Sequence, residues 1–465
     1  MVLSTLTSAA SVPWSSLVWG TLGFVLLWQA SRLVDLLWWQ PRRLERALRA
    51  EGLRGTSYPF LVGDILDYRR RRQEAQSRSM PLRCHNIAHI IAPLLCDIVR
   101  EHGKTYVYVL LMLPALSTCC EELVNRWTRS LGSDGTYELD VFPEFQRLTG
   151  DAISRTAFGS NYLEGARVFQ LQSEQIERMV AGAMKIVLPG YLSLPSKNNR
   201  MMHQINSEIE SILHGLIRKR MQAMQEGENT KNDVLGLMLE SNMRTSGDNG
   251  QSISGMTIKE VVEECELFYL AGTETTSILL TWTMIVLSMH PEWQDRAREE
   301  VIGLFGKNKI EYEAVDRLKT VTMILYEVLR LYSPAVAFFR KTYKEIKIGS
   351  ITYPAGVLIE LPLLLMNHDP DIWGRDVHEF KPERFTNGIS QASKNPGAFL
   401  PFSWGPRICI AQQFALLEAK VPFCMILQSF KFELATSYTH VVDNIRLMRP
   451  MHGAQINLRW DSDFV

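Results

Sequence analysis

A mainly α-helical body with a few short β-sheets, set behind one N-terminal transmembrane helix, is the architecture to expect of this chain. Three observations carry that expectation. The first 31 residues hold no charge, apolar residues recur at helical spacing through most of the remainder, and β signals are confined to short runs between 346 and 361. At 465 residues the length allows about three domains of ordinary size, yet there is no internal repeat and no linker long enough to divide the body. Hydrophobic residues make up 46% and charged residues 22%, the balance of a folded chain. Lys+Arg and Asp+Glu both number 50, and this neutrality argues against a nucleic-acid partner. The seven Cys are odd in number and include no C-x-x-C pair, which argues against a disulfide framework or a multi-cysteine zinc site.

The elements follow in order. Pro13–Ala30 is about long enough to cross a bilayer, with Trp14, Trp19 and Trp28 suited to its interfaces. Arg32, Arg42, Arg43, Arg46, Arg49 and Arg54 come next, so the positive-inside rule places the body in the cytosol. The reading is an uncleaved signal anchor over 1–31, a basic stem over 32–57 and a catalytic body over 58–465. The expected location is the endoplasmic reticulum membrane, single-pass, in contact with membrane lipid. Met201–Gln225 has helical spacing. Thr257 and Glu260 form a capping-box pattern that opens a long apolar helix of about 50 Å, stopped at His290 by Pro291. Glu292–Leu304 reads as a charged helix with a Glu292–Arg296 pair, and Val315–Leu331 as another. Short strands are expected at Ile346–Ile348, Ile351–Tyr353 and Val357–Leu361. Pro382–Phe385 and Asn395–Pro406 read as irregular, and a last helix begins near Ala411, with a kink at Pro422. His85 and His89 share a helix face but lack a third metal ligand, and Arg69–Arg72 reads as a solvated or membrane-facing run.

The segment richest in chemistry is Pro401–Ala411, P-F-S-W-G-P-R-I-C-I-A. One cysteine, Cys409, sits on a Gly/Pro-shaped loop just before a helix, where the helix dipole and free N–H groups favour a thiolate. Gly405 lets the backbone fold over the sulfur, and Arg407 can reach an anionic group. A thiolate so placed could serve as an axial ligand of haem iron; a buried structural cysteine on a turn is the plainer alternative.

Phe402-x-x-Gly405-x-Arg407-x-Cys409 resembles the haem-binding loop of the cytochrome P450 superfamily of haem-thiolate monooxygenases. Ala271-Gly272-Thr273-Glu274-Thr275-Thr276, within the long helix, resembles the oxygen-activating stretch of the same superfamily. Glu327-x-x-Arg330 resembles its ExxR helix motif and Pro382-Glu383-Arg384-Phe385 its PERF segment. The four come in the family's order. ExxR also occurs at Glu51, Glu144 and Glu164, where it reads as a surface accident. In detail the chain looks most like plant members of the secologanin-synthase-like clan, with stretches such as Leu116–Trp127 and Asn367–Trp373.

The resemblance implies a large haem-thiolate monooxygenase-type helical domain with small β-sheets, haem b held by Cys409 as the iron ligand, and Phe402, Gly405, Arg407 and Arg340 around the cofactor. It implies that Glu274 and Thr275 deliver protons, that Phe268, Ala271, Gly272 and Val336 line the substrate pocket, and that Gly272 leaves room for dioxygen. It implies a structural triad of Glu327, Arg330 and Arg384. The reaction would place one oxygen atom from O2 into a small apolar, terpenoid-type molecule, with NADPH electrons supplied by a membrane reductase.

The chain also departs from its apparent relatives. It is shorter by about 60 residues, a large deficit for a domain of roughly fixed size, and the loss localises near 105–115. The family's Trp-x-x-x-Arg motif, which clamps a haem propionate, has no counterpart in the body: the matches Trp28–Arg32, Trp38–Arg42 and Trp39–Arg43 lie in the anchor and stem, and Trp127 is followed at +4 by Leu131. Arg407 and Arg340 are then left to hold the propionates. Ala411 stands where relatives usually carry Gly. The competing reading is a non-catalytic splice or truncated form that binds haem poorly. A reductase-independent isomerase or dehydratase is disfavoured because Glu274-Thr275 is intact.

Overall fold

The structure is a computed structural model. It describes residues 116–158, 162–183, 196–226, 257–310, 312–395, 397–443 and 447–461, with isolated positions within 27–46 and 235–239. The expected shortening near 105–115, His85, His89, Arg69–Arg72 and, apart from isolated positions, the anchor and stem lie outside the described residues.

Among the described residues, four helices and a strand precede the long helix: α1 (Leu116–Arg129), β1 (Thr136–Asp140), α2 (Val141–Phe158), α3 (Tyr162–Ala183) and α4 (Lys197–Gln225). The long helix is α5 (Ile258–Met289), 32 residues or about 48 Å. Its capping box is complete: Thr257 N–H donates to Glu260 Oε2 (2.6 Å) and Glu260 N–H to Thr257 Oγ1 (3.2 Å), an arrangement worth about 1 kcal/mol. Then come α6 (Pro291–Phe305), α7 (Thr320–Leu331), the short strands β2 (Phe338–Lys341), β3 (Ile346–Ile348), β4 (Ile351–Tyr353) and β5 (Leu358–Leu361), α8 (Gln412–Ser429), β6 (Phe430–Leu434), β7 (Val442–Asp443), β8 (Arg449–Pro450) and β9 (Gln455–Trp460). Strand pairing is antiparallel throughout: β1-β9-β6 form a three-stranded sheet, and β2-β5, β3-β4 and β7-β8 form ribbons.

The second half of α5 is buried all round, from Thr276 to Leu287. That is the signature of a core helix rather than a surface one. Although α5 is the one helix among the described residues long and apolar enough to span a bilayer, most of that stretch lies inside the protein. Trp282 sits fully buried at its centre, stacked on Tyr332 at 4.2 Å, with its Nε1–H donated to Met448 O (2.8 Å). Burial of an indole of this size needs that partner. A second apolar layer joins α2, α3 and α4 to the first half of α5 through Ile153, Val168, Ile209, Leu213, Cys265 and Tyr269.

Several expectations are corrected. The Val315–Leu331 helix is two pieces, a turn at Tyr312–Val315 and α7 from Thr320, because Glu300 accepts the N–H groups of Lys319, Thr320 and Val321 and so starts a new helix there. The Glu292–Arg296 pair does not form; Arg296 stacks over Trp293 and pairs with Glu383 (3.0 Å), while Glu292 faces His290. Glu144 is no surface accident: its Oε2 accepts from Arg126 and from Trp127 Nε1 (2.9 Å), tying α1 to α2. Pro382–Phe385, expected to be irregular, is a turn of 3₁₀ helix. The last helix does run through Pro422, from Gln412 to Ser429.

Candidate active site

The cysteine loop closes on itself. Cys409 N–H donates to Phe402 O (3.1 Å), so the first and last fixed positions of the motif are bonded to each other. Gly405 takes φ 78°, a conformation that favours glycine, and starts a 3₁₀ turn through Arg407. Ser403 is the one non-glycine with positive φ (71°) among the described residues. It is buried and its Oγ accepts from Arg340 Nη2 (3.3 Å). Thus β2 delivers Arg340 onto the loop. Phe402 packs on the main core, while the Arg407 side chain is exposed. Burial pushes the Cys409 thiol up from its ordinary value, and the Ala411 N–H, which the sulfur accepts, pulls the other way.

On α5, Leu267, Ala271 and Thr275 follow one another at i, i+4, i+8 on one face. Leu267 is 54% exposed and Ala271 is exposed as well. Thr275 Oγ1 donates to Ala271 O (2.7 Å), and Glu274 is buried beside it. Phe268 packs partly on the second apolar layer, and Val336 partly on the main core. Gly272 does not open onto this face. A Cβ there would stand 2.8 Å from Ile153 Cδ1 and 2.9 Å from Cγ1. Its bareness admits α2 to α5, which corrects the expectation that it makes room for dioxygen.

Packing brings the helix that follows the Cys409 loop against α5. Phe414, from the first turn of α8, joins the layer that holds Cys265 and Tyr269 of α5, with Ala411 and Phe268 packed against it. Further along α8, Glu418 is wholly buried; burial pushes its carboxyl well up, and the Thr276 hydroxyl of α5 faces it and opposes that shift.

The triad residues also meet. Arg330 donates Nε to Glu327 Oε2 (2.8 Å) and Nη2 to Oε1 (2.7 Å), with neither side chain exposed. Arg330 Nη1 reaches the carbonyls of Asn367 (2.9 Å) and Val377 (2.7 Å). Arg384 lies 3.4 Å from Glu327 but 2.9 Å from Asp376, a fourth member that no motif marks. Burial works against the Asp376 charge, but Lys381 and Arg384 outweigh it and hold the carboxyl down to about 2. Ser403, Glu418, Leu267 and Asp376 are thus the site residues that sequence reasoning missed. Only Leu267 left a signal, one turn before Ala271.

The donor set fits an iron already held by a macrocycle. It offers a single thiol whose sulfur accepts a backbone N–H, with one guanidinium, Arg340, bonded to the same loop. No cluster of three metal-ligating side chains occurs among the described residues, so a bare ion would find one ligand where it needs three or four.

The family model for cytochrome P450 matches residues 104–457. This chain belongs to the cytochrome P450 family. It is 44% identical to cytochrome P450 CYP72A616 of Paris polyphylla, over 93% of this chain and 96% of that one. It is 40% identical to secologanin synthase 1 of Catharanthus roseus (93% and 95%) and to 11-oxo-beta-amyrin 30-oxidase of Glycyrrhiza uralensis (97% and 99%). Among solved structures it is similar to the cytochrome P450DA heme domain (TM-score 0.62, 25% identity, 74% of this chain and 72% of that one). It also shares its fold with retinoic acid-bound cyanobacterial CYP120A1 (TM-score 0.63, 22% identity, 75% and 74%). This cytochrome P450 is therefore a plant-type haem-thiolate monooxygenase, an oxidoreductase that incorporates molecular oxygen and draws NADPH electrons through a reductase. The non-catalytic reading gains no support from relatives that match nearly the whole chain.

Proposed function

We propose that this chain, anchored in the endoplasmic reticulum membrane with its body in the cytosol, oxidises a terpenoid-type small molecule with electrons from a membrane-bound NADPH–haemoprotein reductase. The observation that carries the reading is the packing of α8, the helix that follows the Cys409 loop, on α5: Phe414 and Ala411 share an apolar layer with Phe268 and Tyr269, and Glu418 faces the Thr276 hydroxyl. The haem, when bound, supplies the activation of O2. Cys409 would hold its iron through the sulfur, and Arg340 and Arg407 would take its carboxylates. Leu267, Ala271, Phe268 and Val336 present apolar surface to the substrate and exclude water. The hydroxyl of Thr275 holds its proton on Ala271 O at rest and passes it on by rotating, with Glu274 as the acid behind it. The names of two relatives, secologanin synthase and 11-oxo-beta-amyrin 30-oxidase, favour iridoid- and triterpene-like skeletons.

The test is turnover in membranes carrying this chain and a plant reductase, under ¹⁸O2, with triterpenes of the β-amyrin type and iridoid glycosides as probes. We expect one labelled oxygen per product molecule. The Thr275→Ala variant should keep its haem yet lose product per NADPH by about tenfold or more, the scale of general acid catalysis. Label arriving from water, or no product from either class at normal haem content, overturns the reading.

A further inference from the structure

Thr149 of α2 is fully buried and does not belong to the α5 face proposed to meet substrate. Its hydroxyl lies 2.9 Å from the carbonyl of Phe145, four residues back on its own helix, and 2.9 Å from the carbonyl of Thr273 on α5. A hydroxyl has one proton to donate, so it serves one of these acceptors at a time. Thr273 O is the regular α-helical acceptor for Ser277 N–H. Close by, Thr275 Oγ1 donates to Ala271 O (2.7 Å) and Ser277 Oγ to Glu274 O (3.0 Å). Three of the four carbonyls from 271 to 274 therefore take a side-chain hydroxyl beside the ladder, and such donors loosen and bend a helix. Two of those hydroxyls belong to α5 itself, whereas that of Thr149 comes from another helix. Its approach is allowed by Gly272, whose missing side chain leaves the space that Ile153, one turn beyond Thr149, occupies.

We propose that Thr149 is a positioning residue: its bond to the Thr273 carbonyl competes with the Ser277 N–H, loosens the 271–277 turn within a continuous α5 and so sets where Glu274 and Thr275 stand. The consequence for proton delivery rests on the monooxygenase reading; the bond and its effect on α5 do not.

The test is amide hydrogen exchange, read by mass spectrometry, of the full chain in lipid nanodiscs, followed in peptides that span 271–278. Thr149→Val removes the donor with little change of shape, and Thr149→Ser keeps it. Loss of the competing donor strengthens the ladder bond of Ser277, so Thr149→Val slows exchange there by about threefold, a fraction of one hydrogen bond. Thr149→Ser exchanges like the wild type. A merely structural role predicts the opposite sign, since a loosened interface speeds exchange. Unchanged or faster exchange in Thr149→Val, or a Ser variant that behaves like Val, overturns the proposal. Should Thr149→Val fail to accumulate, Thr149→Ala carries the same sign. A reduced, CO-bound spectrum of the wild-type preparation reports separately on haem. A missing band there strikes the monooxygenase reading, while the exchange data still decide the role of Thr149.

Discussion

Glu327 shows at the residue scale how little freedom this site has. Both of its oxygens are taken: Oε2 by Arg330, and Oε1 by Arg330, the Lys381 N–H (3.0 Å) and, more distantly, Arg384. Removal of one partner from a buried ion pair leaves the other charge stranded, at a cost of about 3–5 kcal/mol. Glu327→Leu is therefore expected to collapse the yield of folded protein or sharply lower its thermal midpoint. Arg330→Met added to it is not expected to restore stability. Buried ion pairs can often be replaced by apolar pairs, but Arg330 also serves the carbonyls of Asn367 and Val377, and these would lose their donor. Recovery in the double variant, read by thermal melting, would show that the pair alone matters. Ser403 holds the opposite kind of constraint, a polar side chain kept at φ 71° so that its Oγ can receive Arg340.

At the scale of elements, the junction of α2 with α5 organises the candidate site. Ile153 fills the space beside Gly272. Gly272→Val should thus destabilise by about 1–3 kcal/mol through overpacking, and Ile153→Ala in the same chain should recover most of the loss, both read from thermal unfolding. Were Gly272 to face the substrate instead, Ile153→Ala would add its own cavity cost and rescue nothing.

Much of this level was legible in the sequence. The Thr257/Glu260 pattern and Pro291 marked both ends of α5, because caps and proline act locally. The same holds for β3 and β4, bounded by their turns. The β1-β9-β6 sheet was not legible, since Thr136–Asp140 pairs with residues more than 300 positions away and carries no strong β pattern of its own. The four motifs named Cys409, Thr275, Glu327 and Arg384, yet the positions that join them escaped. Thr149, Ile153 and Glu418 matter only through where another helix meets them, and nothing in their immediate surroundings announces that. Gly272 was misread for the same reason, a glycine needed for a neighbouring helix rather than for a ligand.

At the scale of the whole molecule, the length of the chain is what strains the account. The alignment with the Paris polyphylla relative runs over 497 positions but covers 93% of these 465 residues, about 432, so about 65 of its positions have no counterpart here. Trp127 is buried and donates its indole N–H to Glu144. Among the described residues, α5, α7, α8 and Phe402 of the loop nonetheless share one core. On the proposed reading, the burden of holding haem then falls on Cys409, Arg340 and Arg407.

The most direct test of that claim is the reduced, CO-bound difference spectrum of membranes that express this 465-residue chain, beside a Cys409→Ser control. The account predicts a band at the long-wavelength position of a thiolate-ligated haem in the wild type and its loss in the control. No such band in the wild type, with the protein present by immunoblot, would contradict the account.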